Sequence, residues 1–240
     1  MKLFTVCSIL FLTTFIYAQN QFVGIRSGVN LTDVRVNENL TGNYYVKPGL
    51  LVGGSYQFVF TNQLNLGVDL LYAQRGFLTD LLATYSVEGD SLPLNVIYKR
   101  ELRHHYNYFN VPLKIGYSFG NKWKGFATIG ICPAFLINAK EITPFFEQSS
   151  NKPFGAVVIY ETKKVKAFDL SAQVELGGSV SLKEDKYQLF TSIGFQTGLL
   201  GFSKSGYNVG YDYVHFGYNI TVGLNYAIQK KKAQVIPNIE

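Results

Sequence analysis

Few side chains in this sequence are of the types that support acid–base or metal chemistry. There are three histidines, His104, His105 and His215, and two cysteines, Cys7 and Cys132. A hydrolase needs a nucleophile, a base and an orienting carboxylate close together, and no His-x-Ser pair occurs. Cys, His and carboxylate residues also lack the spacing of a metal site. The sequence therefore predicts no catalytic residue, no metal ligand and no cofactor, and we interpret His104 and His105 as a solvated rim at a loop end.

Charged side chains inside regularly alternating segments are more informative. They are Arg26, Asp69, Lys114, Asp169 and Glu175, together with His215. Each lies on the polar side of its segment, which indicates an enclosed interior. An unpaired charge there would cost several kcal/mol, so we expect a lumen polar network, with Lys114 within salt-bridge distance of Asp69 or Glu175. A proton path or a narrow gate formed by the same residues is the functional alternative.

The segment Tyr213 to Ile228 indicates what kind of element positions these charges. One side of it is apolar at Val214, Phe216, Tyr218, Ile220, Val222, Leu224, Tyr226 and Ile228. Strict alternation predicts a strand, and its length exceeds the roughly 9 to 11 residues that cross a bilayer. The other side carries Gly, Asn, Thr and His rather than Lys and Glu. We therefore predict that the apolar side faces lipid and the polar side faces a lumen.

Similar alternation predicts eight strands in all. They run from Val23 to Leu31, Leu50 to Phe60, Leu64 to Arg75, Asn107 to Phe119, Trp123 to Ile137, Phe168 to Leu182, Tyr187 to Leu199 and Tyr213 to Ile228. Short turns alternate with long connections at Thr32 to Lys47, Gly76 to His104, Asn138 to Lys166 and Leu200 to Asp212. This pattern is typical of outer-membrane barrels. The predicted fold is all-β, an eight-stranded antiparallel up-and-down transmembrane β-barrel.

Several local features refine this fold prediction. Pro112 predicts an irregularity or bulge in the fourth strand, because proline has no amide hydrogen. Strand extensions are expected around Glu88 to Ser91, as a hairpin, and from Ala156 to Val165. Outward aromatics form two belts: Phe58, Phe60, Tyr117, Phe119, Trp123, Tyr187 and Tyr226 near the short turns, and Tyr72, Phe109, Phe135, Phe168 and Phe216 near the long loops. Such belts are expected at the two membrane interfaces.

The ends of the chain predict its location. Residues 1–18 resemble a cleaved signal peptide, residues 19–228 form the predicted barrel, and residues 229–240 form a short basic periplasmic tail containing Lys230 to Lys232. We expect the short turns and both termini in the periplasm and the long loops outside the cell. Removal of the signal changes the formal net charge from +6 to 21 − 16 = +5. No basic stripe with interleaved aromatics occurs, so a nucleic-acid partner is not expected.

A soluble binding barrel of the lipocalin type is the structural alternative, because it too has eight strands and a signal peptide. Such a barrel exposes its polar side to water. The polar side here is rich in glycine and poor in Lys and Glu, and the Gly-x-Trp signature of lipocalins is absent. The membrane barrel is therefore the favoured prediction.

Short motifs resemble the PorT-like family of outer-membrane β-barrels, within the broader group of OmpA-type barrels. They are Gly24 to Asn30, Leu71 to Phe77, Asn110 to Tyr117, Gly130 to Pro133 and Phe168-Asp169. The sequence departs from the family in its long second and third loops and at Ser171. Thr221, Gly223, Tyr226 and Ile228 resemble the C-terminal assembly signal of bacterial barrels, which implies the barrel-assembly machinery as a partner besides outer-membrane lipid.

The resemblance implies two functions. The first is a non-enzymatic barrel that presents extracellular loops for surface interaction or envelope integrity. The second is an accessory component of a protein-secretion apparatus, since one branch of the family is linked to such an apparatus. Envelope or secretion proteins are the corresponding expected partners.

Overall fold

The computed structural model describes residues 20–36, 43–60, 63–84, 97–146, 153–183, 186–204 and 213–230. Its strands are β1 (Asn20–Val36), β2 (Asn43–Val59), β3 (Leu64–Thr84), β4 (Ile97–Asn110), β5 (Leu113–Gly120), β6 (Trp123–Phe146), β7 (Pro153–Tyr160), β8 (Phe168–Leu182), β9 (Tyr187–Gly198) and β10 (Tyr213–Lys230). A short 3-10 helix, Thr162–Lys164, follows β7. Among the described residues, no helix is long and apolar enough to span a membrane. The predicted signal peptide and residues 231–240 lie outside the described ranges.

The described strands pair into a closed ring of eight antiparallel segments. We call each of these segments of the barrel wall a stave. β1 pairs with β10 on one edge and with β2 on the other, and β2 continues to β3. β4 and β5 lie end to end between β3 and β6 and together form one stave. β6, β8, β9 and β10 complete the circuit, while β7 lies outside it and pairs with β6. The predicted all-β, eight-stranded antiparallel barrel is confirmed.

The break between β4 and β5 falls where proline predicted an irregularity. Pro112 cannot donate a ladder hydrogen bond, and the neighbouring staves adjust around it. The Pro112 carbonyl accepts a hydrogen bond from the amide of Asp69 at 3.0 Å, and the Val111 amide donates to the Pro133 carbonyl at 2.8 Å. The stave therefore stays attached on both edges, although it is interrupted as a strand.

The two faces of the staves differ as the alternation predicts. Large apolar side chains are exposed on the outer face, for example Ile25 (69%), Leu176 (60%) and Val222 (56%). Such a wide apolar surface is suited to lipid rather than to water. Phe58, which is predicted on the outer face, is only 5% exposed, and its ring packs edge-on against that of Tyr56, with 4.7 Å between the centroids.

Several strands are longer than predicted and project past the membrane. β6 has 24 residues, which corresponds to about 80 Å of strand, against a hydrocarbon core of about 30 Å. Parts of the predicted long loops are strand because hairpin pairing satisfies their backbone groups: Thr84 pairs with Ile97 in β3–β4, and Lys140 with Tyr160 in β6–β7. The tip predicted around Glu88 to Ser91 lies outside the described residues. β10 ends two residues later than the predicted Ile228.

Candidate functional site

A compact group of four charges occupies the middle of the lumen. Arg26 on β1 places Nη1 2.5 Å from Asp69 Oδ2, and its Nη2 bonds Glu175 Oε1. Lys114 Nζ lies 2.7 Å from Asp69 Oδ2 and 3.2 Å from Glu175 Oε2. Two cations, from β1 and β5, thus face two carboxylates, from β3 and β8. We call this group the central network.

Two hydroxyls extend the central network. Ser192 Oγ donates to Glu175 Oε1 at 2.5 Å, and it lies 2.6 Å from Thr221 Oγ1. Arg26 Nη2 also donates to Thr221 Oγ1 at 3.2 Å. Both hydroxyls lie on the polar sides of their strands, where alternation predicts the lumen face, and Thr221 is also one of the residues of the predicted assembly signal. Alternation does not predict their contacts with Arg26 and Glu175.

Asp169 belongs to a second group, nearer the long-loop end. Its Oδ2 lies 2.6 Å from Arg75 Nη1, and each of these side chains is only 1% exposed. Arg75 Nη2 donates to Asn110 Oδ1 at 3.2 Å, and the guanidinium lies 4.8 Å from the centroid of the Tyr108 ring. The five charges expected to form one lumen network are therefore divided between two groups, with Arg75 completing the second.

The lumen around these groups is nearly filled. The cavities lined by Arg26 or Arg75 have volumes of about 50, 20 and 10 Å³. A single water needs about 10 to 15 Å³ by the same measure, so these spaces hold a few waters at most. Each group balances its own formal charge, because two cations face two carboxylates in one and Arg75 faces Asp169 in the other. The interior is thus a closed, internally neutralised polar core.

An aromatic cap lies above the second group. Phe202 stacks on His215 with 3.9 Å between ring centroids, and Tyr106 packs against both rings. Backbone bonds hold Phe202 in place: its amide donates to the Tyr213 carbonyl at 2.9 Å, and its carbonyl accepts from the Lys166 amide at 2.8 Å. His215 is inside the lumen, as expected, and it is buried beneath this cap.

An outer cavity of about 340 Å³ lies on the loop side of the cap. Aromatic walls come from Phe77, Tyr106 and Phe202, and polar walls from His104, Glu141, Glu161 and Lys164. The interpretation of His104 as a solvated rim is wrong, because its side chain is 14% exposed and its ring stacks on Phe77 at 4.3 Å. Burial, opposed in part by Glu161, lowers the pKa of His104 to about 4. The imidazole is therefore neutral at neutral pH.

The residues of the proposed assembly signal lie on both faces of β10. Tyr226 (41%) and Ile228 (54%) are exposed on the outer face, whereas Thr221 is buried in the lumen. Gly223 lies against Phe190, and a Cβ at Gly223 would come within 2.4 Å of that ring. The lumen therefore constrains two of the four positions irrespective of any recognition event.

Comparisons with known proteins address the family. No curated protein matches the chain. Among solved structures, the chain is similar to Neisserial surface protein A (8% identity, 85% of this chain and 96% of the other, TM-score 0.44). It is also similar to OprG of Pseudomonas aeruginosa (11% identity, 89% and 98%, TM-score 0.48) and to Ail of Yersinia pestis (12% identity, 85% and 98%, TM-score 0.36). The family model described as "Outer membrane protein beta-barrel domain" matches residues 17–239. The chain therefore belongs to this outer-membrane β-barrel family.

Proposed function

We propose that the protein is a non-enzymatic barrel that is closed to solutes and presents its projecting outer ends for surface interaction or envelope integrity. The observation that supports this most is the nearly filled lumen, in which two neutral charge groups lie beneath the Phe202 cap. Each lumen carboxylate is held by at least one cation: Asp69 and Glu175 by both Arg26 and Lys114, and Asp169 by Arg75. A carboxylate bound in this way is a poor general base, which favours a non-enzymatic role.

The outer ends provide the surface for such a role. The β3–β4 and β6–β7 hairpins extend beyond the lipid-facing band, and β7 exposes Val157, Val158, Ile159 and Tyr160. Exposed apolar side chains outside the membrane are typical of interaction sites. We therefore place the interaction function on these hairpins rather than in the lumen.

Conductance tests whether the barrel is closed. The purified full-length protein, reconstituted in planar bilayers, should show no large steady current. A variant that removes one neutral pair, Arg26→Ala with Glu175→Ala, should conduct measurably and so show that the assay detects a pore. Circular dichroism checks that the variant retains its strands. Porin-like conductance by the unsubstituted protein would contradict the proposal.

We also propose, from the sequence motifs, that the barrel is PorT-like, and as the alternative function that it is an accessory component of a secretion apparatus. Purification in mild detergent distinguishes this secretion role from the first function. Stable co-purification with periplasmic and outer-membrane secretion proteins favours the accessory role. Recovery of the barrel alone, or with lipid and surface ligands, favours a free-standing surface role.

A further inference from the structure

Three possible metal ligands converge on the wall of the outer cavity. They are His104 on β4, Glu141 on β6 and Glu161 just before the 3-10 helix, and one donor atom of each lies within 4.8 Å of the others. The lumen groups do not include these side chains. From this geometry we propose that the outer cavity binds a divalent transition-metal ion, best matched by Zn²⁺, through His104, Glu141 and Glu161.

Backbone pairing fixes the positions of the three ligands. His104 and Glu141 are directly opposite each other in the β4–β6 pairing, so their side chains project from the same face. Glu161 is brought to them by the return of the chain after β7. Its amide donates to the Ala139 carbonyl at 2.8 Å, and the Ala139 amide donates to Thr162 Oγ1 at 3.0 Å. The site is therefore anchored in the sheet and not on a free loop.

The donor atoms are available for a metal. His104 Nδ1 is buried and, among the described residues, has no hydrogen-bond partner; its closest carboxylate oxygen is Glu161 Oε2 at 3.9 Å. Buried polar nitrogens normally have a partner. Stacking on Phe77 at an interplanar angle of 20° holds the imidazole in this orientation. A metal on Nδ1 would supply the partner that the nitrogen lacks.

Outer contacts already orient the two carboxylates. Glu161 Oε1 lies 2.7 Å from Lys164 Nζ, and Glu141 Oε1 accepts a hydrogen bond from Thr143 Oγ1 at 3.4 Å. Partners of this kind orient metal ligands in protein sites. Lys164 balances one of the two carboxylate charges, so the cluster keeps a formal charge of −1 when His104 is neutral. A divalent cation would remove the repulsion between the carboxylates.

The donor set selects the type of metal. Zn²⁺ binds His nitrogen and Glu oxygen at about 2.0 to 2.2 Å, which puts neighbouring ligand atoms about 3.4 Å apart. Side-chain rotation closes the remaining gap from 3.9 Å between His104 Nδ1 and Glu161 Oε2. Mg²⁺ and Ca²⁺ prefer oxygen ligands alone. Three protein ligands leave one position directed at a cavity of about 340 Å³, which has room for water or a small coordinating molecule.

Titration of the full-length, tag-free protein in detergent with Zn²⁺ alone tests the site. Calorimetry should give one ion per chain. His104→Gln, Glu141→Gln and Glu161→Gln should each weaken binding by more than the roughly 10- to 100-fold caused by loss of an outer-shell partner. The matched control is His105→Gln, which changes the neighbouring histidine outside the cluster and should leave affinity unchanged.

Co²⁺ substitution gives a second measurement that does not depend on affinity. The ligand-field absorption of Co²⁺ should indicate four-coordination and should change in His104→Gln. Circular dichroism of each variant establishes that loss of binding is not loss of fold. The proposal is overturned if the unsubstituted protein binds no Zn²⁺, or if His105→Gln weakens binding as much as the three ligand variants.

Discussion

Arg75 and Asp169 form a buried ion pair across the lumen, with Nη1 2.6 Å from Oδ2 and both side chains 1% exposed. They belong to β3 and β8, which are separated by two staves on one side of the ring. The pair therefore links staves that share no backbone hydrogen bonds. The ion pair should therefore stabilise the folded barrel and hold opposite parts of the barrel wall together.

Asp169→Asn should destabilise the barrel by about 3 to 5 kcal/mol, because it leaves the Arg75 charge buried without a counter-charge. Urea unfolding in lipid vesicles measures the loss, with fluorescence of Trp123, the single tryptophan, as the signal. The double variant Arg75→Met with Asp169→Leu should recover most of the stability, since both charges are removed. Equal stability of Asp169→Asn and the unsubstituted protein would show that the pair contributes little.

An exposed pair provides the contrast. Lys164 is 43% exposed where it meets Glu161, and pairs of this kind contribute about 0 to 1 kcal/mol. Lys164→Met should therefore change the unfolding free energy little in the same assay. A loss of unfolding free energy comparable to that of Asp169→Asn would contradict the expectation that the buried ion pair contributes more than the exposed one.

Gly76→Ala should destabilise the outer end of β3. Gly76 has a φ of +152°, and an added Cβ would lie 2.0 Å from the carbonyl oxygen of His104. The strained conformation alone costs about 1 to 3 kcal/mol, and the displaced backbone carries His104 with it. Thermal unfolding should show the loss, and Zn²⁺ affinity should fall if the metal site exists.

Gly54→Ala is the matched control for this substitution. A Cβ at Gly54 would meet only the Gly24 carbonyl, at 3.7 Å, which is an ordinary contact. The two glycines lie in neighbouring strands, so the comparison isolates the local geometry. Equal losses of stability in the two variants would show that the backbone conformation and the close contact at Gly76 are not the cause of the loss.

Protease treatment of intact cells tests the orientation of the barrel. Trypsin should cleave at the outer end, where Lys163 is exposed in the 3-10 helix, and should leave a tag placed after Glu240 intact. Both ends should be cleaved once the envelope is broken. The opposite protection pattern would reverse the orientation, and protection of both ends would argue for a buried or periplasmic location.

Tyr226→Ser and Ile228→Ser should lower the amount of protein assembled in the outer membrane if these residues act as an assembly signal. Val222→Ser is the control, because Val222 is 56% exposed on the same strand and face but lies outside the signal. Cell fractionation followed by immunoblotting measures the amount, and refolding of the purified variants in detergent measures intrinsic stability. A similar decrease in all three variants would indicate a general loss of lipid contact.

Period-two alternation carries most of the information on the fold. It places Lys114 on the inner face, where the structure brings it to Asp69 and Glu175, and it places Ser192 and Thr221 on the inner face of β9 and β10 as well. Alternation says nothing about which residues face each other across a pair. His104 and Glu141 meet through the β4–β6 register, and Glu161 arrives by a turn after β7. Phe202 enters the lumen mouth from an irregular segment, which no periodic pattern marks.

The pairing of β1 with β10 has a consequence for the time course of biogenesis. Every residue of β1 from Asn20 to Val36 has a partner in β10, although the two strands lie at opposite ends of the sequence. Contacts between distant parts of a chain form slowly, and until β10 arrives β1 has an unpaired edge that favours aggregation. The barrel cannot close while the chain is still being exported, so folding must follow complete delivery of the polypeptide, and the unfinished chain needs protection until then.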